Sequence, residues 1–262
     1  RGTDWRARLL AAAGAAAAAA LVAFFLLPPV SQRGVVAGPG GPTLAFAETV
    51  DGAGLETALA AEEAFDTARV AIDRLLDLWA VASSNTSEDL DLARLAAEGG
   101  LRYVALDSGP SLLSLIGLPA IVELASGGRG GVRYLLVEGV SQEDRFTVYL
   151  AGRRVAVSGA ELGRVWNGSI HLLWRDTHEL GGRLGSSSRG PAVGRLQDML
   201  KGAGLYAGRS TGVYGEETEK AVRDFQTSKG LIPDGIAGTV TQILLYKGLS
   251  GAARGPGLRP AT

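Results

Sequence analysis

The same turn occurs twice near the end of this 262-residue chain. Thr211–Thr218 reads TGVYGEET and Asp234–Thr241 reads DGIAGTVT, so both fit the pattern [Thr/Asp]-Gly-[Val/Ile]-x-Gly-x-x-Thr. Glycine permits a positive φ in a tight turn, and each final threonine falls in the first turn of a helix, where its hydroxyl can satisfy an unpaired backbone group. The repeat therefore predicts two equivalent loop-to-helix corners and by itself names no ligand.

Helical periodicity surrounds these corners. Pro191 directly after Gly190 suits the first position of a helix. Apolar positions then recur at helical spacing in three runs: Val193, Leu196 and Leu200; Thr218, Ala221, Val222 and Phe225; Val240, Ile243 and Leu244. Residues 189–249 are therefore predicted to form a small three-helix bundle, and residues 250–262 a disordered tail.

This region resembles the type 1 peptidoglycan-binding repeat domain. The resemblance rests on three stretches: Gly190–Gln197 (GPAVGRLQ), Thr211–Gln226 (TGVYGEETEKAVRDFQ) and Lys229–Thr241 (KGLIPDGIAGTVT). Thr211 stands where the family usually has Asp, and Tyr214 where it usually has Phe. The resemblance implies a three-helix bundle that binds cell-wall peptidoglycan and catalyses nothing.

The candidate peptidoglycan-binding residues share either a polar end or an aromatic ring. They are Gln197, Tyr206, Arg209, Tyr214, Phe225, Gln226 and Asp234. The alternative is that the two glutamines and Phe225 serve only the core and the helix surface. The tyrosines, in the same interpretation, lie at the rim of the core and the arginine is a solvated charge.

Charge separates the chain into blocks. Residues 43–183 carry 12 basic and 20 acidic side chains, net −8, whereas residues 189–262 carry 10 basic and 6 acidic side chains, net +4. This change of sign indicates two folded units, and neither block is basic enough to predict binding to nucleic acid. The chain has no cysteine, which excludes disulfides, thiolate metal ligands and cysteine nucleophiles.

An apolar run near the start predicts a membrane helix. Leu9–Leu27 contains 19 residues without a polar side chain, and a helix of that length spans about 28 Å. Arg1, Arg6 and Arg8 precede it, so residues 1–8 are expected in the cytoplasm and the rest of the chain outside. The Pro- and Gly-rich residues 28–47 are predicted to be a flexible linker. The alternative is a secretory signal peptide, with an Ala-x-Ala-like site in Thr43–Thr49.

The middle unit, residues 48–175, is predicted to have an α+β fold. Apolar residues from Phe65 to Trp79 follow helical spacing, and a second helix is predicted over Leu90–Glu98. Six strands are predicted after the helices: Arg102–Leu106, Ala120–Leu124, Val132–Val140, Phe146–Leu150, Arg154–Val157 and Ile170–Trp174. Residues 176–188 are polar and glycine-rich, and are predicted to link this unit to the helical bundle.

The helix from Phe65 to Trp79 looks like the first helix of the papain-like bacteriocin-processing (C39) peptidases. By that resemblance Thr67 stands where the catalytic cysteine would be, and Arg133 or Tyr134 stands where the catalytic histidine would open a strand. The third catalytic residue, an aspartate, is absent near Leu150. The resemblance therefore implies a peptidase-like domain without its catalytic residues, and no enzymatic activity.

The two histidines of the chain do not restore a site. His171 alternates with Ile170 and Leu172, which predicts an exposed strand position, and His178 falls in the predicted linker. No zinc site is expected from this pair. The sequence thus predicts neither a metal nor another cofactor.

The order of the parts resembles that of the general secretion pathway protein A family of Gram-negative bacteria. In this chain the predicted membrane span comes first and the peptidase-like unit second. That unit closes with the segment Val165–Trp174 (VWNGSIHLLW), and the peptidoglycan-binding unit follows it. The resemblance implies a single-pass inner-membrane protein with its bulk in the periplasm. It implies peptidoglycan, secretion pathway protein B and further copies of itself as partners, and a role in taking the type II secretin through the wall.

Two other functions stay open at this point. A cell-wall or peptide hydrolase could carry the bundle as its targeting module, and a wall-associated structural protein would need no tie to secretion. Members of the secretion family usually have an ATPase domain ahead of the membrane span. This chain contains no G-x-x-x-x-G-K-[ST] motif, so no nucleotide binding is predicted for it.

Overall fold

A computed structural model describes residues 48–49, 55, 64–82, 91–125, 132–140, 145–150 and 153–250. The predicted membrane helix at residues 9–27, the linker up to residue 47 and the tail from residue 251 lie outside the described residues. Within the described ranges, no helix has the length and the hydropathy needed to cross a bilayer.

Two helices precede the sheet, as the periodicity predicts. Helix α1 is Ala64–Leu78 and helix α2 is Leu92–Glu98. The apolar face of α1 is buried from Ala68 to Leu76 and packs on the sheet. The Asp91 carboxylate caps α2 by accepting a hydrogen bond from the Arg94 amide, at 3.2 Å.

The described strands form one sheet. In chain order they are β1 (Glu48–Thr49), β2 (Arg102–Asp107), β3 (Ala120–Leu124), β4 (Arg133–Val140), β5 (Arg145–Leu150), β6 (Arg153–Ser158) and β7 (Trp166–Trp174). Their order across the sheet is β1-β6-β5-β4-β3-β7-β2, antiparallel except for the pair β1–β6. The α+β class is therefore confirmed, and the long β7 lies in the interior of the sheet between β3 and β2.

Two short helices interrupt the strands and were not predicted. Helix α3 (Pro110–Ile116) begins with a proline at its first position and ends at Gly117, which has φ 71°. Helix α4 (Gly159–Val165) begins with a capping box formed by Ser158 and Glu161. Each helix has only seven residues, so its apolar residues do not repeat often enough to reveal a helical period.

The C-terminal unit is the predicted three-helix bundle. It consists of α5 (Pro191–Gly202), α6 (Glu216–Ser228) and α7 (Thr239–Ser250). The apolar residues predicted to share a face are buried, for example Val193, Val222 and Ile243. Three glutamates in the first turn of α6 lie near the positive end of the helix dipole, which stabilises their charge.

The segment that was predicted to link the two units contacts both of them. Asp176 accepts hydrogen bonds from Arg102 at the start of β2 and from Tyr246 of α7. Lys247 of α7 donates to the carbonyl of Leu115 in α3, at 2.9 Å. We call this set of contacts around Asp176 and Lys247 the joint.

Candidate functional site

The first copy of the repeated turn is held by one glutamine. Gln197 of α5 is fully buried, and its Oε1 accepts a hydrogen bond from the Gly212 amide at 3.0 Å. Its Nε2 donates to the Val213 carbonyl and to the Thr218 hydroxyl, both at 2.9 Å. The threonine hydroxyl therefore meets a side-chain amide, where the sequence led us to expect a backbone group.

The second copy is held in the same way by Gln226 of α6. Its Oε1 accepts from the Gly235 amide at 2.9 Å, and its Nε2 donates to the Ile236 carbonyl at 3.0 Å and to the Thr241 hydroxyl at 3.2 Å. The Asp234 carboxylate is a further acceptor at 2.7 Å. The two corners are thus equivalent in their hydrogen bonds, as the repeat predicts.

The substitution of Thr211 for the usual aspartate keeps the turn. Thr211 Oγ1 accepts from the Val213 amide at 3.3 Å, and Asp234 Oδ1 accepts from the Ile236 amide at 2.9 Å. A threonine hydroxyl can therefore replace an aspartate carboxylate in this side-chain-to-backbone turn, although it makes a weaker bond.

The two corners lie against each other at one end of the bundle. The Tyr214 hydroxyl donates to the Gly235 carbonyl at 2.6 Å, which joins the first corner to the second. Isolated bridges then pair Leu184 with Ala237 and Arg189 with Val213. The chain ahead of α5 therefore lies against both corners.

Most of the predicted peptidoglycan-binding residues belong to the core. The buried ones are Gln197, Tyr206, Tyr214, Phe225 and Gln226. Arg209 and Asp234 are exposed beside the corners. A role in wall binding stays a prediction for all seven, but burial gives the first five a structural role, as the alternative interpretation has it.

Two exposed apolar residues near the corners were missed. Ile232 has 85% of its surface exposed and precedes the second corner, and Val213 in the first corner is 45% exposed. The signal was present in the sequence, because an isoleucine before Pro233 lies outside any helical period. Together with Arg209 and Asp234 they give the end of the bundle a mixed apolar and charged surface.

In the middle unit, the structure brings together the two positions that the resemblance matched to catalytic residues. Thr67 of α1 is buried, and its hydroxyl accepts a hydrogen bond from the Tyr134 amide at 3.2 Å. Arg133 is the first residue of the same strand, β4, and is half-buried. Helix α1 therefore packs against strand β4 at the matched positions, which are occupied by a threonine on the helix and by an arginine and a tyrosine on the strand.

His171 lies inside the molecule, and the prediction that it is exposed was wrong. Its side chain is 12% exposed, because helices cover the face of the sheet that it shares with Tyr103 and Glu123. His171 Nε2 lies 2.9 Å from Glu123 Oε1, and Nδ1 lies 2.8 Å from the Tyr103 hydroxyl. Asn167 Nδ2 donates to the other oxygen of Glu123, at 2.8 Å. We call these four side chains the relay.

A pocket opens beside the relay, between the helices and the sheet. It has a volume of about 30 Å³ and is lined by Ala68, Ile72, Leu92, Tyr103, Ile121, Tyr134 and His171. Burial, together with the negative charges of Glu123 and Asp91, raises the pKa of Tyr103 to about 12, so its phenol is protonated at neutral pH. Both ring nitrogens of His171 are engaged by Tyr103 and Glu123, so neither is available to the Thr67 hydroxyl.

Comparison with known proteins gives one match to the C-terminal bundle alone and another that extends over most of the chain. Residues 189–245 match the family described as putative peptidoglycan binding domain. The chain is 26% identical over 175 residues to general secretion pathway protein A of Aeromonas hydrophila, covering 67% of this chain and 31% of that protein. It is 45% identical over 58 residues to the spore cortex-lytic enzyme of Bacillus cereus, 22% of each. The chain thus spans less than a third of these curated relatives.

Among solved structures, the chain is similar to a periplasmic domain of the EpsAB fusion protein of the Vibrio vulnificus type II secretion system. The TM-score is 0.42 with 20% sequence identity, over 71% of this chain and 80% of that one. The sequence matches confirm the predicted resemblance to the peptidoglycan-binding domain and to general secretion pathway protein A.

Proposed function

We propose that this chain is a peptidoglycan-binding protein of a type II secretion apparatus. The observation that carries the proposal is the match of residues 189–245 to the peptidoglycan-binding family, with both corners intact in the structure. The similarity to general secretion pathway protein A over 67% of the chain supports the tie to secretion. In this role the protein helps the outer-membrane secretin to assemble in or pass through the wall.

The middle unit serves this role as a docking domain that has lost peptidase chemistry. No cysteine occurs in the chain, and Thr67 and Arg133 stand at the matched positions. Its net charge of −8 over residues 43–183 favours a basic partner surface. Secretion pathway protein B and a second copy of the chain are the partners that we propose.

We further propose that residues 9–27 anchor the protein in the inner membrane as a single span, with the bulk of the chain in the periplasm. The support is the apolar run itself and the arginines ahead of it. Both folded units would then lie on the side of the membrane where the wall is found.

Sedimentation of the full chain with purified peptidoglycan sacculi tests wall binding. We expect the chain to pellet with sacculi, and Arg209→Ala to weaken that retention severalfold because an exposed charge beside the corners is lost. Arg164 on α4 of the middle unit is also exposed, so Arg164→Ala is the matched control and should pellet like the wild type. A wild-type chain that stays in solution would refute the proposal.

A cell-wall hydrolase is a second candidate, and one observation favours it. Tyr103, His171 and Glu123 form a hydroxyl–imidazole–carboxylate chain beside a small pocket, the order of groups that activates a hydroxyl nucleophile. Soluble muropeptides released during the same sedimentation assay would reveal such an activity. Release by the wild type and none by Tyr103→Phe would establish it, and no release by either would reject it.

A further inference from the structure

Strand β2 forms one end of the sheet and has a neighbour on one side only. That neighbour is β7, and the register between them runs without a bulge from Arg102 opposite Trp174 to Asp107 opposite Ser169. Among the described residues, the strand at the other end of the sheet, β1, has only two residues. β2, with six residues, is therefore the longer of the two end strands.

The hydrogen bonds between β7 and β2 show which backbone groups of β2 point outward. The Ser108 amide donates to the Gly168 carbonyl directly opposite, at 2.7 Å, so these two residues form a hydrogen-bonded pair. Antiparallel strands alternate such pairs with non-hydrogen-bonded ones. The N–H and C=O groups of Tyr103, Ala105 and Asp107 therefore point away from β7. Within the part of the chain that the structure describes, no hydrogen bond reaches these outward groups.

This edge lacks the features that keep the edge strands of native proteins apart. Such strands are very short, or carry proline, lysine, inward-pointing charges or a bulge. β2 (RYVALD) contains neither proline nor lysine, and its two charged residues, Arg102 and Asp107, stand at its ends. Ala105 near its centre is small and exposed, so the backbone of a second strand can come close to it there.

The edge is complementary to itself in one register. Around a two-fold axis at Ala105, an antiparallel β2 of a second copy would place Ala105 opposite Ala105, and Tyr103 opposite Asp107. All outward groups of both copies are then paired, which gives about six hydrogen bonds. On the other face of the sheet Val104 would lie opposite Leu106, and both are half-buried apolar side chains. No carboxylate meets a like charge in this register.

We propose that β2 is the docking edge for a second copy of this chain, whose β2 extends the sheet in the register centred on Ala105. The inference rests on the proposed function in so far as that function makes a second copy a partner. One strand from each copy is a small contact beside the about 1,200 Å² that a stable interface buries, so the dimer is weak in solution. Two copies anchored in one membrane meet at a higher effective concentration, which favours the pairing.

Disulfide trapping in the full chain tests this register, because the chain has no cysteine of its own. In Ala105→Cys the two thiols face each other at the axis, with Cα atoms about 5.5 Å apart, within the range that a disulfide spans. Asp107→Cys is the matched control, since Asp107 is exposed on the same edge. Its two copies lie about 14 Å apart along the strands, too far for a disulfide.

We expect mild oxidation to convert Ala105→Cys to a covalent dimer at least about tenfold faster than Asp107→Cys, because pairing holds the thiols at a high effective concentration. Equal rates would show random collision and would overturn the proposal, as would the absence of a dimer. Repeating the oxidation in whole membranes tests other occupants. A cross-link of Ala105→Cys to a different protein in place of its own copy would assign the edge to that protein and also overturn the proposal.

A second pair of variants tests the contact without a thiol. Ala105→Glu places two carboxylates opposite each other, so sedimentation equilibrium should show dimers about fivefold weaker than those of Ala105→Gln, which has a side chain of the same size. Equal dimerisation of the two variants would overturn the proposal. Both variants should pellet with sacculi like the wild type, because the bundle is unchanged. Failure of all three proteins to pellet would refute wall binding and leave the pairing of β2 standing.

Discussion

Each corner of the repeat is held by the amide of one glutamine on the preceding helix. A glutamine carries a donor and an acceptor on the same carbon, which matches a glycine N–H followed by a carbonyl one residue later. Gln197 and Gln226 use the same geometry toward Gly212 and Gly235. Both glycines have positive φ, 71° and 74°, so the turns need glycine and the glutamines hold them in place.

Replacing Gln226 by leucine should destabilise the bundle strongly. Gln226→Leu leaves the buried Gly235 N–H and Thr241 hydroxyl without their partner, which costs about 2–4 kcal/mol of unfolding free energy. Urea unfolding and amide exchange at Gly235 measure the effect.

A second glutamine provides the matched comparison. Gln242 is equally buried, but its Oε1 has no hydrogen-bond partner, and its Nε2 donates to the Gly182 and Ala237 carbonyls. Gln242→Leu should therefore cost less than Gln226→Leu, because it also removes an unsatisfied oxygen. Equal losses of unfolding free energy in the two variants would show that the hydrogen bonds of Gln226 contribute no more to stability than those of Gln242.

Among the elements, α1 is tied to the sheet by a buried carboxylate. Glu138 of β4 is 3% exposed, and it accepts from Arg74 of α1 and from Arg154 of β6, both at 2.6 Å. Arg74 also lies over the ring of Tyr149, 5.3 Å from its centroid. The Glu138 side chain thus connects β4 to β6, which follows closely in the chain, and to helix α1, whose Arg74 lies 64 residues earlier in the chain.

Glu138→Ala should loosen this contact and lower the unfolding free energy of the middle unit. We expect a loss of about 2 kcal/mol, less than for a fully buried ion pair because both arginines are about a quarter exposed and can be hydrated. Glu98→Ala breaks a surface pair with Arg94 at 3.9 Å and should change stability by less than about 0.5 kcal/mol. Urea unfolding followed by tryptophan fluorescence measures both losses. Equal losses of unfolding free energy in the two variants would contradict a stabilising role for Glu138.

For the whole molecule, the joint decides how the two units lie relative to each other. Asp176 accepts from Arg102 on one side and from Tyr246 on the other, and the Tyr246 ring packs at 5.9 Å from Trp174. Lys247 reaches the carbonyl end of α3, where a cation is favoured. A wall-binding bundle would therefore transmit its position to the middle unit.

Breaking the joint should expose the connecting segment to protease. Asp176→Ala removes the acceptor shared by both units, so trypsin should cut after Arg175 or Arg183 several times faster than in the wild type. Asp224→Ala, which removes an exposed ion pair on α6, is the control and should leave the cutting rate unchanged. Identical rates in all three proteins would show that the joint does not restrain the segment.

The joint should also open in acid. Burial alone raises the pKa of Asp176, but hydrogen bonds from Tyr246 and from the Gly181 and Leu180 amides outweigh it. The bond from Arg102 adds to them, so the pKa lies below the usual value of about 3.9. A carboxylate with a depressed pKa stabilises the fold above its unfolded pKa and loses that effect as pH falls through the folded value.

This acid sensitivity can be followed by NMR. The contact between the Trp174 and Tyr246 rings should weaken as the pH drops below about 4, and Asp176→Asn should show no such step. An Asp176→Asn variant that shows the same acid step as the wild type would contradict the assignment.

Much of the fold and part of the site were predictable from local pattern. Strand β3 was predicted at its observed bounds and α1 within a residue or two, because long amphipathic runs reveal their period. The relay was not predictable. His171 alternates with apolar neighbours as an exposed residue would, yet both faces of β7 are covered, so alternation says nothing about exposure there.

The sequence alone determined the elements that local chemistry dictates: the two glycine corners, the three helices around them, and the lack of a thiol at the matched catalytic position. Only the tertiary structure decided which side chains meet. The register pairs His171 with Ile121 of β3 and Ala105 of β2. Glu123 and Tyr103 lie two residues along those strands, and so on the same face of the sheet as His171. That register depends on contacts between segments far apart in the chain, as do the joint and the hydrogen bonds of the two glutamines to the corners. No local sequence pattern predicts such contacts.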